Sequence, residues 1–330
     1  MMRPTTEPPA DPDRRTLIGI GAVLALAALP RAAGAQPPSR ADAAAAWAAA
    51  RAIPLWPAGP PGGGFVERPV PAGGAPTFIR NVARPELRVF YPARANGSSL
   101  LVMPGGAYRF VSVANEGVDV AAAMTAHGYT VFVLVYRLPG EGWANRSDVP
   151  LQDAQRAMRV IRDHAARGGL DPAAVDAVGF SAGGHLAASL ATGFAEPVYP
   201  PTDAVDALDA RPRGVGLIYP VISHAAGIGH AESSRMLLGD RPDAARVARR
   251  SPALRVGADT PPAFFVHALD DTAVPAENSL IMMRAMQAAG RPVEVHLFER
   301  GGHGFGTGPA GTPAGGWLDL FAAWLATPRG

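Results

Sequence analysis

Two residue types are missing from the 330 residues. There is no cysteine, and there is no lysine, so all 30 strong bases are arginine. Without cysteine the chain can form no disulfide, no thiolate metal site and no cysteine nucleophile. The missing lysine, beside so much alanine, glycine and proline, reads as a composition bias of the kind a GC-rich coding sequence produces. The arginines are scattered and form no basic stripe interleaved with aromatics, which argues against a nucleic-acid partner. Charge is sparse, at 18% of residues with a formal net of +2, while 48% are hydrophobic. That balance supports a sizeable folded core and excludes disorder over most of the length. No internal repeat is present.

One apolar run stands apart from the rest. Arg14-Arg15 precedes Leu17 to Leu29, and Ala33-Gly34-Ala35 follows before Gln36. A basic start, an apolar stretch too short to span a bilayer comfortably and a small-residue cleavage site together predict an export signal over residues 1–35. Arg14-Arg15-Thr16-Leu17-Ile18 also fits a twin-arginine signal, and an ordinary secretory signal or an uncleaved anchor remains open. Cleavage after Ala35 leaves 295 residues, with no integral span in the mature chain and a periplasmic or secreted location. Residues 36–74 read as a Pro/Gly/Ala-rich arm. In it Ala43 to Arg51 is predicted as a short helix capped by Asp42, Ile53 to Pro57 as extended chain, and Trp56 as its anchor on the body.

Residues 75–330 carry a regular alternation. Strands are expected at Leu87 to Tyr91, Ser99 to Met103, Thr130 to Val135, Val175 to Val178, Val215 to Tyr219, Ala263 to His267 and Val293 to Phe298. Helices are expected at Val118 to Ala126, Leu151 to Arg167, Glu277 to Ala289 and Trp317 to Ala326. The first two strands, separated by the turn Ala95-Asn96-Gly97, read as a hairpin-like opening. Continuous apolar strands alternating with helices imply an α/β fold whose central sheet is mostly parallel and covered on both faces. Ser223 to Asp259 breaks the rhythm and reads as a small insertion near the active-site edge.

The chemistry gathers around Gly179-Phe180-Ser181-Ala182-Gly183. A β-rich run leads into it and a helix-forming segment leaves it, the context a G-x-S-x-G nucleophile turn requires. A serine hydroxyl needs a base and an orienting carboxylate, and this arrangement places them on loops after later strands. Asp271 lies 90 residues beyond Ser181 and His303 a further 32, each just past a predicted strand. Glycines flank His303, whereas His127, His164 and His296 fall within or at the ends of ordinary elements. His185, four residues after the serine, reads as a core histidine. Asp271 is preferred over Asp270 as the acid, its neighbour being assigned to cap the following turn or helix. Gly106 and Ala107, in the loop after Ser99 to Met103, join Ala182 as expected backbone donors to an oxyanion. Tyr108, Arg137 and Trp143 are candidates for touching substrate. Each also has a structural reading, Arg137 as half of a buried ion pair; Asp153 is a candidate partner for either Arg137 or Arg156.

These stretches resemble the α/β-hydrolase superfamily. Ile53-Pro54-Leu55-Trp56-Pro57, Met103-Pro104-Gly105-Gly106-Ala107-Tyr108, Val135-Tyr136-Arg137-Leu138, Pro150 to Ala157, Asp271-Thr272-Ala273-Val274-Pro275 and Gly302-His303-Gly304-Phe305 narrow the likeness. They are similar to secreted bacterial carbohydrate acetylesterases of the acetylxylan esterase type. The resemblance implies Ser181 as nucleophile, Asp271 as acid and His303 as base, no metal or organic cofactor, and an ester-bearing small molecule or polysaccharide as partner. Relatives carry a glycine where this chain has Ala107. A peptidase or amidase resembling prolyl oligopeptidases or arylformamidases is the rival on the same fold. A non-catalytic carbohydrate-binding relative is the rival of another class.

Overall fold

The computed structural model describes residues 40–327, together with Met1. The predicted export signal, 1–35, therefore lies outside the described residues apart from Met1. An eight-stranded sheet forms from β1 (Arg51–Pro54), β3 (Glu86–Phe90), β4 (Ser99–Met103), β6 (Thr130–Val135), β7 (Val175–Phe180), β8 (Val215–Ile218), β9 (Ala263–Ala268) and β10 (Val293–Phe298). Its order is β1-β3-β6-β4-β7-β8-β9-β10. The six strands from β6 to β10 are parallel, and β3 and then β1 are added at one edge, each through an antiparallel pairing. Two-residue strands β2 (Phe78–Ile79) and β5 (Val111–Ser112) pair separately.

The central strands are buried along their whole length because both faces are covered. Successive side chains point to opposite faces of a strand. Leu101 and Met103 therefore join the core beneath α3 (Val149–Gly168), α4 (Ser181–Gly193) and α7 (Glu277–Ala288). Leu100 and Val102 join the core beneath α2 (Asp119–Ala126) and α8 (Trp317–Ala326). The long α3 ends at Gly169, whose φ of 76° lets the chain turn left-handed at the cap.

Two expectations are corrected here. Strands β3 and β4 do not form a hairpin, because β6 lies between them, antiparallel to one and parallel to the other. The continuous apolar run of β6 must be buried on both sides and recruits both neighbours. The arm also contributes a strand to the sheet, since Arg51–Pro54 pairs with β3. Its helix, α1, runs Arg40–Ala49 and holds Asp42 inside the first turn instead of at the cap.

Trp56 anchors the arm through Asp153. Its indole Nε1 donates to Asp153 Oδ1 at 2.8 Å, and Arg137 donates to the same carboxylate from its backbone N–H (2.8 Å), Nε (3.0 Å) and Nη2 (2.8 Å). Both charged side chains are fully buried. A buried pair adds little over an apolar one, but breaking it strands a charge without a partner. Asp153→Ala is expected to lower unfolding free energy by about 3–5 kcal/mol, read as a shift of the urea midpoint.

The insertion folds as α5 (Ala231–Leu238), α6 (Ala244–Arg249) and a short 3-10 turn at Pro252–Arg255. Arg250 ties it to the body through ion pairs with Asp148 and Glu196.

Candidate active site

Strand β7 ends at Phe180 and α4 begins at the next residue, Ser181. The serine sits at φ 52°, a left-handed conformation that costs an L-residue roughly 1–2 kcal/mol. The flanking glycines are steric necessities. A Cβ on Gly179 would lie 2.2 Å from the Gly183 carbonyl oxygen, and one on Gly183 would lie 2.1 Å from that of Met103. The hydroxyl is thereby held at the carboxyl ends of the parallel strands, at the first turn of α4.

His303 lies in the loop after β10, and its Nε2 is 2.8 Å from Ser181 Oγ. Its Nδ1 is 2.7 Å from Asp271 Oδ2. An ionised carboxylate only accepts, so Nδ1 carries the hydrogen and Nε2 is left as an acceptor facing the serine. Burial alone would push the Asp271 carboxyl up. Hydrogen bonds from His267, His303 and the Val274 N–H outweigh that and hold it well below the usual carboxylate range. Its other oxygen accepts the N–H groups of Ala273 and Val274, at 2.9 and 2.8 Å. Asp270 does something else: it accepts the N–H groups of Gly301 and Gly302 and fastens the loop that carries His303.

Gly106 and Ala107 line the same cavity as Ser181 and His303, and Ala182 is buried in the first turn of α4. Ala107 takes φ 52°, so the chain tolerates a side chain in a left-handed position that glycine would fill without strain. The Gly105 N–H points elsewhere, donating to Glu116 Oε2 at 2.7 Å.

Glu116 is a site residue that sequence reasoning missed. It is buried on a π-helical turn, Ala114–Val118, and accepts the Tyr219 hydroxyl on its second oxygen at 2.9 Å. Tyr219 Oη in turn accepts the Gly306 N–H at 2.9 Å, and its ring lies edge-on to His303. One carboxylate therefore connects the Gly105–Gly106 loop to the histidine loop. Burial raises its pKa, with the Gly105 and Tyr219 hydrogen bonds opposing. Nothing in the sequence marked a lone glutamate before a helix, although Tyr219 at the end of a predicted strand offered a clue, since that is the sheet end where such sites sit.

The three residues nominated for substrate contact fall outside this cavity. Arg137 is committed to Asp153. Trp143 packs with Arg137 and Phe65. Tyr108 is buried with its hydroxyl 2.8 Å from His185 Nδ1. All three sit on loops near the sheet end, as expected, but each turns into the protein, Arg137 and Tyr108 onto buried hydrogen-bond partners and Trp143 onto Arg137 and Phe65 by packing alone. His185 is a core histidine, its pKa pushed down to about 4 by burial. The cavity over Ser181, about 580 Å³, is instead walled by Phe78 and Phe110, stacked at 4.4 Å, and by His230 from the insertion. Among the described residues no group of three or more His, Asp or Glu is placed to hold a metal ion, and no helix is long and apolar enough to cross a membrane.

A serine at a strand-to-helix turn, with histidine and aspartate on loops after later strands of a mostly parallel sheet, makes this an α/β-hydrolase fold. Comparison with known proteins places it further. The chain is 35% identical over 205 residues to endo-1,4-beta-xylanase B of Butyrivibrio fibrisolvens, covering 62% of this chain and 32% of that protein. It is 31% identical over 223 residues to an acetylxylan esterase of Xylanibacter ruminicola, covering 66% of this chain and 43% of that one. It thus spans less than half the length of either relative. Among solved structures, an acetyl ester-xyloside bifunctional hydrolase from Caldicellulosiruptor lactoaceticus superposes with a TM-score of 0.69 at 32% identity, covering 83% of this chain and 95% of that one. A propionate-bound thermophilic esterase from Thermogutta terrifontis gives 0.61 at 27% identity, covering 77% and 97%. The chain belongs to the BD-FAE family, whose model matches residues 87–286.

Proposed function

We propose that this α/β-hydrolase is a serine esterase that removes acyl groups, above all acetyl, from plant-type carbohydrate. The observation that carries the reading is the continuous relay from Ser181 Oγ through His303 to Asp271 at the mouth of a cavity. Relatives described as acetylxylan esterase and acetyl ester-xyloside hydrolase support the substrate class. In this mechanism His303 Nε2 takes the serine proton as Oγ attacks the ester carbonyl. Gly106, Ala107 and Ala182 N–H groups receive the oxyanion, and His303 returns the proton to the departing sugar oxygen. Water, activated by the same nitrogen, then releases the acid and restores the serine. Export to the periplasm or beyond belongs to the same proposal, supported by the composition of residues 1–35.

The test is acetate release from acetylated xylan by residues 36–330, beside hydrolysis of p-nitrophenyl acetate. Both activities are expected. Cleavage of aryl esters with none of acetylated sugar would overturn the substrate class, and activity only on peptide or formamide bonds would overturn the esterase reading.

A further inference from the structure

A second cavity, about 160 Å³, has in its lining Tyr108 and Arg109, the residues that follow Gly106 and Ala107 in the same loop. Three arginines reach it from three separate segments: Arg68 from the arm, Arg80 from the stretch after β2, and Arg109 from the loop itself. Arg68 Nε donates to the Gly140 carbonyl at 3.2 Å and Arg80 Nη1 to the Arg109 carbonyl at 2.8 Å. Backbone carbonyls fix these guanidinium groups in place without neutralising them.

The nearby acids offset only part of the charge: Glu141 also lines the cavity and its charge acts on both Arg68 and Arg80, one carboxylate against three guanidinium groups. Glu141 is buried, and its two oxygens accept the backbone N–H groups of Asn81 and Val82. Glu232 lies 3.4 Å from Arg109 but is also paired, at 2.9 Å, with Arg235. Arg68 and Arg80 have no carboxylate within ion-pair distance among the described residues. Arg80's pKa is lowered by burial and then by the charge of Arg109, with the Glu141 carboxylate opposing, so two like charges still sit close together in a partly desolvated place. An anion there would relieve the crowding, and a planar carboxylate matches the fork of a guanidinium.

This cavity is coupled to the catalytic one through a single ring. Phe110 walls the Ser181 cavity by stacking on Phe78, and the Arg80 guanidinium lies 4.8 Å over the same Phe110 ring. We propose that Arg68, Arg80 and Arg109 form a carboxylate subsite beside the active site, so that the preferred substrate is an acylated saccharide that also carries a uronic acid. The proposal rests on the esterase reading and adds a second recognition point to it.

The experiment uses an acetylated xylo-oligosaccharide bearing glucuronic acid and the same oligosaccharide with that carboxyl reduced to an alcohol. The wild-type kcat/KM ratio, acid over reduced form, is expected to be roughly tenfold and to shrink as salt is raised. Arg80→Ala and, separately, the exposed Arg68→Ala should bring the ratio toward one. A within-variant ratio cancels any loss of folded protein. Calorimetric binding of the deacetylated acidic oligosaccharide to Ser181→Ala reads the subsite without turnover. A wild-type ratio of one, or a ratio that survives both substitutions, overturns the subsite. If the calorimetry finds the acidic sugar while no ester is cleaved by the wild type, the esterase reading fails and the subsite stands.

Discussion

Ser181→Ala is expected to lower kcat for p-nitrophenyl acetate by about 10^5–10^6 while leaving the fold in place. Position 181 holds φ 52° because the glycines on either side let strand and helix meet without a spacer. Alanine enters that conformation at about the same cost as serine, so the strain is unchanged. The loss is one hydroxyl and its 2.8 Å contact with His303, worth about 0.5–1.5 kcal/mol of stability. Thermal unfolding should therefore move by only a few degrees. In the proposed mechanism catalysis depends on that oxygen far more heavily, since without it no acyl-enzyme forms and only binding and backbone donors remain to assist water. Rapid mixing with excess p-nitrophenyl acetate, read for any burst, and steady-state kcat check it. Activity near the wild-type level would remove Ser181 from the mechanism.

Much of the fold could be read from the chain because its signals are local. Continuous apolar runs such as Thr130 to Val135 and Ala263 to His267 stand out from amphipathic stretches such as Leu151 to Arg167, and each proved to be the expected element within a few residues. Helix α8 matched its expected ends because Gly315-Gly316 before it and Thr327-Pro328 after it are strong breakers. What the chain did not disclose was pairing. A turn such as Ala95-Asn96-Gly97 permits a hairpin, but the choice between a sequential neighbour and the distant β6 is settled by burial of the whole sheet. The same limit applies to the candidate site. The meeting of Ser181, His303 and Asp271 follows from residue type and position at strand ends. Glu116, Phe78 and Phe110 enter by packing, and their neighbours in sequence say nothing of it. Tyr108, Arg137 and Trp143 show the converse, since proximity along the chain to a site says little about which way a side chain turns.

Asp271→Asn is expected to lower kcat/KM about ten-thousand-fold at neutral pH, and Asp270→Asn far less. The two backbone donors explain why an isosteric change does so much. Oδ1 of Asp271 accepts the N–H groups of Ala273 and Val274, so an asparagine amide must keep its oxygen there. Its NH2 group is then forced toward His303 Nδ1, in the position now held by the accepting Oδ2. A donor facing Nδ1 requires Nδ1 to accept, which moves the ring hydrogen to Nε2. The nitrogen that faces Ser181 Oγ then carries a proton and can take no other. Geometry is preserved, yet the base is in the wrong tautomer. Asp270 makes no hydrogen bond to the ring. It holds the loop through Gly301 and Gly302 N–H groups, and an asparagine oxygen can keep accepting both. Measuring kcat/KM for both variants, with near-ultraviolet circular dichroism to establish that each is folded, separates the two acids. Equal losses would mean that the carboxylate acts by holding the loop and does not set the tautomer of His303.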